Sequence, residues 1–167
     1  MTDSMLPADI VALAQRVVTE NKAAGRTIAL AESCTGGLVA AALTEIAGSS
    51  AVFDRGFVTY SNEAKQELLG VSGYILDTFG AVSVATAWAM AQGALARSNA
   101  HVAVAISGIA GPDGGSEHRP VGTVVFARAI RDSDSEEVDA EEQRLDGSSR
   151  ARVRHQAALV ALELLLP

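Results

Sequence analysis

Ser33, Cys34 and Lys65 are the side chains of this sequence best suited to open a carbonyl compound, two as nucleophiles and one as a base. The first two lie in Ala31-Glu32-Ser33-Cys34-Thr35-Gly36-Gly37, where an apolar run from Thr27 to Ala31 gives way to small, reactive and glycine residues. Strand-to-helix junctions of this kind commonly carry nucleophiles and anion sites. Lys65 closes the stretch Val58-Thr59-Tyr60-Ser61-Asn62-Glu63-Ala64-Lys65. A third stretch, Ser107-Gly108-Ile109-Ala110-Gly111-Pro112-Asp113-Gly114-Gly115, has four glycines in nine residues, enough to turn N–H groups inward as an anion nest or oxyanion hole. A serine, a lysine and a bed of backbone amides are the parts of an amide hydrolase.

Each of these residues also has an ordinary structural role open to it. A serine at the carboxyl end of a strand is more often a helix cap than a nucleophile. Ser33 lacks a Gly-x-Ser-x-Gly elbow, and the three histidines stand far off at 101, 118 and 155. A lysine desolvated among apolar neighbours loses its proton near neutral pH and can accept one from a hydroxyl, whereas on spacing alone Lys65 is a solvated lysine of a helix over 61–69. Tyr60 could orient that lysine or relay a proton through its hydroxyl, or simply pack at the end of a strand. Cys34 is the rival nucleophile, with Glu32 and Lys65 to complete its set, or a small buried hydrophobe behind the site. Glu32 is equally suited to accept hydrogen bonds from loop amides.

The glycine loop lacks the lysine of a P-loop and does not match the dinucleotide fingerprint, which disfavours ATP or NAD binding by those routes. Arg150, Arg152 and Arg154 open the last helix after Gly147-Ser148-Ser149, where guanidinium groups and the helix dipole could attract phosphate, solvated arginines being the default. Residues 150 and 154 share a face. No ligand spacing such as His-x-x-x-His occurs, so no metal site and no cofactor are expected. Trp88, Phe53 and Phe57 are assigned to the core.

The elements that must position these groups follow from periodicity. Ile10, Leu13, Ala14, Val17 and Val18 predict a first helix that Gly25 stops before the strand from Thr27 to Ala31. Gly36 and Gly37 open a second helix through about Ile46, and Ala51 to Tyr60 reads as a strand. Ser61 caps the next short helix, a brief helical piece is expected at 74–79, and Ser83 caps an alanine-rich helix to about Ser98. His101 to Ile106 is an apolar strand of the type buried on both faces, feeding straight into the glycine loop. Val121 to Ile130 forms another, and the acidic turn 131–136 leads to a weaker, antiparallel strand ending near Leu145, a solvated hairpin rather than a disordered tail. The last helix carries Val153, Ala157, Val160, Ala161 and Leu164 on one face. This alternation predicts an α/β protein, a single three-layer α/β/α domain over 1–167 with a mixed, mainly parallel sheet.

At 167 residues and 49% hydrophobic, the chain can bury one full-sized core. Its 13 basic against 20 acidic residues give a net charge of −7, so a phosphate backbone would meet net repulsion and no direct nucleic-acid partner is expected. One cysteine forms no internal disulfide, and no basic-apolar leader is seen, so a reducing cytoplasm is the expected location. No apolar run approaches bilayer length, so no membrane partner is expected either. A homodimer is the anticipated state.

Taken together, AESCTGG, RGFVTYSNEAK, SGIAGPDGG with the following PVGTV, and the arginines before the last helix resemble the CinA C-terminal domain family, over about residues 8–165. The resemblance implies the reaction of that family's stand-alone nicotinamide-nucleotide amidases: hydrolysis of nicotinamide mononucleotide to nicotinic acid mononucleotide and ammonia, in pyridine nucleotide recycling. It also implies a serine and lysine pair, mapped by motif position onto Ser33 and Lys65 with Tyr60 nearby, and a substrate pocket drawing on Thr35, Gly36, Ser107, Gly108, Gly111 and Arg150. Either the glycine loop or Arg150 would take the 5′-phosphate. The pyrophosphatase-linked amino-terminal domain of larger members has no counterpart in the matched region. Two alternatives stand beside this expectation, a non-catalytic competence-related binding module and an amidase for another small carboxamide.

Overall fold

The computed structural model describes residues 3–133 and 139–167. Its elements are α1 (Ala8–Ala24), β1 (Ile28–Glu32), α2 (Leu38–Thr44), β2 (Phe53–Val58), α3 (Asn62–Leu69), α4 (Gly73–Phe79), α5 (Val84–Ala96), β3 (Val102–Gly108), β4 (Thr123–Ile130), β5 (Asp139–Arg144) and α6 (Arg150–Leu164). The sheet order is β2-β1-β3-β4-β5. β1 pairs in parallel with both β2 and β3, and β4 runs antiparallel to β3 and β5. Four strands therefore point one way and β4 alone opposes them, the mixed and mainly parallel sheet that alternation of helices and strands predicts.

Alternation along each strand builds two cores. Ile28, Leu30, Val102, Val104, Ile106, Val124 and Phe126 face α1, α2 and α6. Ala29, Ala31, Ala103, Ala105, Val125, Ala127 and Ala129 face α3, α4 and α5. The second face is almost all alanine, so the alanine-rich α5 lies close against the sheet and leaves room for α3 beyond it. Gly93 extends this close packing: a Cβ built there would stand 2.0 Å from the main-chain oxygen of Leu69 in α3. Ser61, Ser83 and Ser149 cap α3, α5 and α6, each side chain accepting a hydrogen bond from the amide three residues on.

Several expectations shift in detail. Gly36 and Gly37 both have positive φ, 58° and 97°, which closes the turn after β1 and delays α2 to Leu38. Residues 49–51 form a 3-10 turn, so β2 begins at Phe53 and not at Ala51. Trp88 is on the surface of α5, 37% exposed, while Phe53 and Phe57 are partly buried. Of the acidic turn predicted at 131–136, positions 134–136 lie outside the described residues.

Parallel pairing puts the carboxyl ends of β2, β1 and β3 along one edge of the sheet. The register of the antiparallel strands brings the start of β4 and the end of β5, hence the start of α6, to the same edge. β1 leads to β2 through α2 on one face, and β2 leads to β3 through α3, α4 and α5 on the other. A crevice opens where such connections diverge.

Gly93→Ala is expected to destabilise the protein by about 2 kcal/mol, the overlap with Leu69 outweighing the gain in helix propensity. Urea denaturation checks this, and an unchanged midpoint would show that α3 has room to retreat.

Candidate active site

Ser33 follows β1 directly, and its N–H donates to the carbonyl of Ile106 at 2.9 Å, which fixes it between β1 and β3. Behind it, the buried carboxylate of Glu32 accepts from the N–H groups of Gly37 at 3.0 Å, Val39 at 3.2 Å and Ala40 at 2.8 Å. Those are the unpaired amides of the first turn of α2, so Glu32 takes the structural role open to it and satisfies the helix start itself. Arg154 of α6 holds the other side of the turn, donating from Nε to the carbonyl of Cys34 at 3.1 Å and from Nη2 to that of Thr35 at 3.2 Å.

Lys65 arrives from α3. The Ser61 cap starts that helix so that Lys65 falls on its inner side, only 1% exposed. Nζ lies 3.0 Å from Ser33 Oγ, 2.8 Å from the carbonyl of Thr59 and 3.2 Å from that of Tyr60. Among the described residues it forms no ion pair with a carboxylate. Burial pushes its pKa below the ordinary lysine value, only partly opposed by the nearby Cys34. The geometry suits the neutral amine. Carbonyl oxygens only accept, so Thr59 and Tyr60 engage its two N–H bonds and the lone pair is left for the Ser33 hydroxyl. Once protonated, the same nitrogen has a third hydrogen to give back in that direction.

Cys34 is the weaker nucleophile of the two. It is 5% exposed, belongs to the core beneath α2 and α6, and burial raises its thiol to about 11. The thiolate needed for attack is therefore scarce at neutral pH.

A cleft of about 260 Å³ opens over this pair, lined by Ser33, Cys34, Tyr60 and Lys65 on one side and by Ser107, Gly108 and the loop to Gly114 on the other. Arg150 closes its rim, donating to the carbonyl of Gly111 at 2.8 Å and to the hydroxyl of Tyr60 at 3.1 Å. Tyr60 thus meets Lys65 through its carbonyl, and its hydroxyl is engaged by an arginine instead of the lysine. Ser107 Oγ donates to the carbonyl of Ala81 at 2.8 Å, tying the floor of the cleft to the segment before α5. The N–H groups of Ala110 and Gly111 bond to no other described residue.

Of the residues expected around substrate, Ser107, Gly108, Gly111 and Arg150 line the cleft, and Thr35 and Gly36 do not. Thr35 is fully buried with its hydroxyl unpartnered among the described residues, and Gly36 packs near Arg154. Sequence reasoning left Arg154 on the surface, although its helical spacing from Arg150 was a usable signal. The wall formed by Ala81 and Val82 had no signal at all. No group of three or more His, Cys, Asp or Glu side chains that could hold a metal ion occurs among the described residues.

Comparison with known proteins agrees with the motifs. A nicotinamide-nucleotide amidohydrolase PncC of Enterobacter agglomerans is 55% identical over 145 residues, 87% of this chain and 86% of that protein. One of the same name from Escherichia coli strain K12 is 49% identical over 165 residues, 99% of this chain and 95% of that protein. The crystal structure of the competence/damage inducible protein CihA from Agrobacterium tumefaciens aligns with a TM-score of 0.92 at 52% identity, covering 97% of this chain and 96% of that one. The CinA C-terminal domain model matches residues 10–167, and the chain belongs to that family.

Proposed function

We propose that this protein hydrolyses the carboxamide of nicotinamide mononucleotide to nicotinic acid mononucleotide and ammonia, with Ser33 as nucleophile and Lys65 as both base and acid. Relatives at 49% and 55% identity that carry the name nicotinamide-nucleotide amidohydrolase support the substrate class. The observation that carries the mechanism is the buried Lys65 amine 3.0 Å from Ser33 Oγ, with two carbonyls engaging its N–H bonds.

Neutral Lys65 takes the proton of Ser33 as Oγ forms a bond to the carboxamide carbon and the C=O electrons move onto oxygen. Unpaired backbone N–H groups beside the cleft receive that oxyanion. The intermediate collapses, the C–N bond breaks, and the proton now on Lys65 goes to the departing nitrogen, which leaves as ammonia. Water then repeats the cycle on the acyl-enzyme: Lys65 takes its proton, hydroxide adds, and Oγ leaves with the proton returned. With Lys65 committed to Ser33, Arg150 is the cleft-lining cation left for the 5′-phosphate. Pyridine nucleotide recycling, a reducing cytoplasm and a homodimeric state complete the proposal.

Ammonia release from nicotinamide mononucleotide, nicotinamide riboside and free nicotinamide tests it. Ser33→Ala and Lys65→Ala should each lower kcat/KM for the mononucleotide by on the order of hundreds-fold or more, and Cys34→Ala should stay within about tenfold of wild type. Loss confined to Cys34→Ala would reverse the choice of nucleophile, and an inert wild type would leave a binding module as the better reading.

The pH profile gives an independent check. Only neutral Lys65 can accept the proton, so kcat/KM should rise with pH on a limb whose midpoint lies below the ordinary lysine value of 10.5. That limb should vanish from the residual activity of Lys65→Ala. A profile flat from mildly acidic to alkaline pH would remove Lys65 from the base role.

A further inference from the structure

We propose that Arg154 is a positioning residue for the turn after Ser33, presetting through the Ser33 carbonyl the Cys34 N–H that receives the oxyanion; this rests on the Ser33 and Lys65 reading above.

Arg154 lies one helical turn beyond Arg150 on the same side of α6, and its two contacts are the consecutive carbonyls of Cys34 and Thr35. A guanidinium is planar, so donors at 3.1 Å and 3.2 Å fix two adjacent peptide groups relative to one rigid fork. In a trans peptide the C=O and N–H point in opposite directions. Anchoring the Cys34 carbonyl therefore turns the Thr35 N–H away from the guanidinium. Anchoring the Thr35 carbonyl likewise sets the Gly36 N–H, which donates to the carbonyl of Ser33 at 3.0 Å. That bond sets the Ser33 carbonyl and with it the N–H of the same peptide, that of Cys34, which bonds to no other described residue and belongs to a residue lining the cleft.

Charge strengthens the effect. Arg154 forms no ion pair among the described residues, so its field falls on the two carbonyls it contacts and polarises their amides. Gly36 suits the turn through its backbone, whose φ of 58° is one that L side chains rarely adopt, while a Cβ there would meet Nη2 only at an ordinary contact distance of 3.6 Å. Arg150 on the same helix holds Gly111 of the opposite cleft wall, so one face of α6 spans both.

Two probes separate this inference from the choice of substrate: ammonia release from nicotinamide mononucleotide, and the burst of p-nitrophenol as p-nitrophenyl acetate acylates Ser33. Arg154→Ala should slow both by roughly 30- to 100-fold, less than deletion of an oxyanion donor, with KM for the mononucleotide changed by no more than about twofold. Free methylguanidinium should restore part of the lost rate, and Arg154→Lys, which keeps the charge without the fork, should fall between. A purely structural arginine would instead lower thermal stability, with no rescue. The inference is overturned if wild type acylates and both variants, folded, match it within about threefold. Wild type that acylates but releases no ammonia would sink the proposed substrate and leave Arg154 testable by the ester. Wild type inert to both would sink both.

Discussion

An amine removed from water, with no counter-ion among the described residues, is held in this fold by three oxygens. Two are main-chain carbonyls at the end of β2 and one is a serine hydroxyl after β1. Burying such a group charged would be strongly unfavourable, and the environment responds by favouring its neutral form. The surrounding structure serves that condition. α3 starts at the Ser61 cap so that Lys65 faces inward, and the missing side chain at Gly93 lets the end of α3 settle against α5. The alanine face of the sheet allows α5 to lie low enough for both.

Glu32, the residue before Ser33, is a buried acidic side chain held in the opposite way, by donors. Its carboxyl group is 1% exposed, and three amides of the α2 start converge on it. This arrangement uses up the helix terminus nearest Ser33. On the other side of the cleft, Arg150 and the amides of Ala110 and Gly111 are among the groups that remain for an incoming anion.

The sheet and its helices were legible because apolar alternation and serine caps are local signals, and Ser61, Ser83 and the run from His101 to Ile106 behave as their neighbours dictate. The three stretches that meet at the cleft were legible as chemistry, but not their juxtaposition. Nothing in spacing puts residue 65 against residue 33, and taken singly Lys65 reads as a surface lysine. Parallel pairing of β1 with β2 makes the contact, a long-range fact. Arg154 was misjudged for the same reason, its partners lying about a hundred and twenty positions away. Thr35 failed differently: it shares the motif of Ser33 but turns into the interior. Trp88 shows that an apolar residue on an amphipathic helix need not face the sheet.

One wall of the cleft is built from the connection between β3 and β4, residues 109–122. Antiparallel neighbours can be joined by a two-residue hairpin, so most of that length is not needed to close the sheet. Its register is secured on the strands themselves, from Val102 opposite Ile130 to Gly108 opposite Val124. Insertions, deletions and exchanges in the loop can therefore reshape what the cleft admits while the Ser33 and Lys65 pair, anchored on β1 and α3, keeps its spacing. Under the proposed mechanism, reactivity and selectivity would sit on separate modules of the chain, and descendants of this scaffold would be free to change clientele without reinventing the reaction.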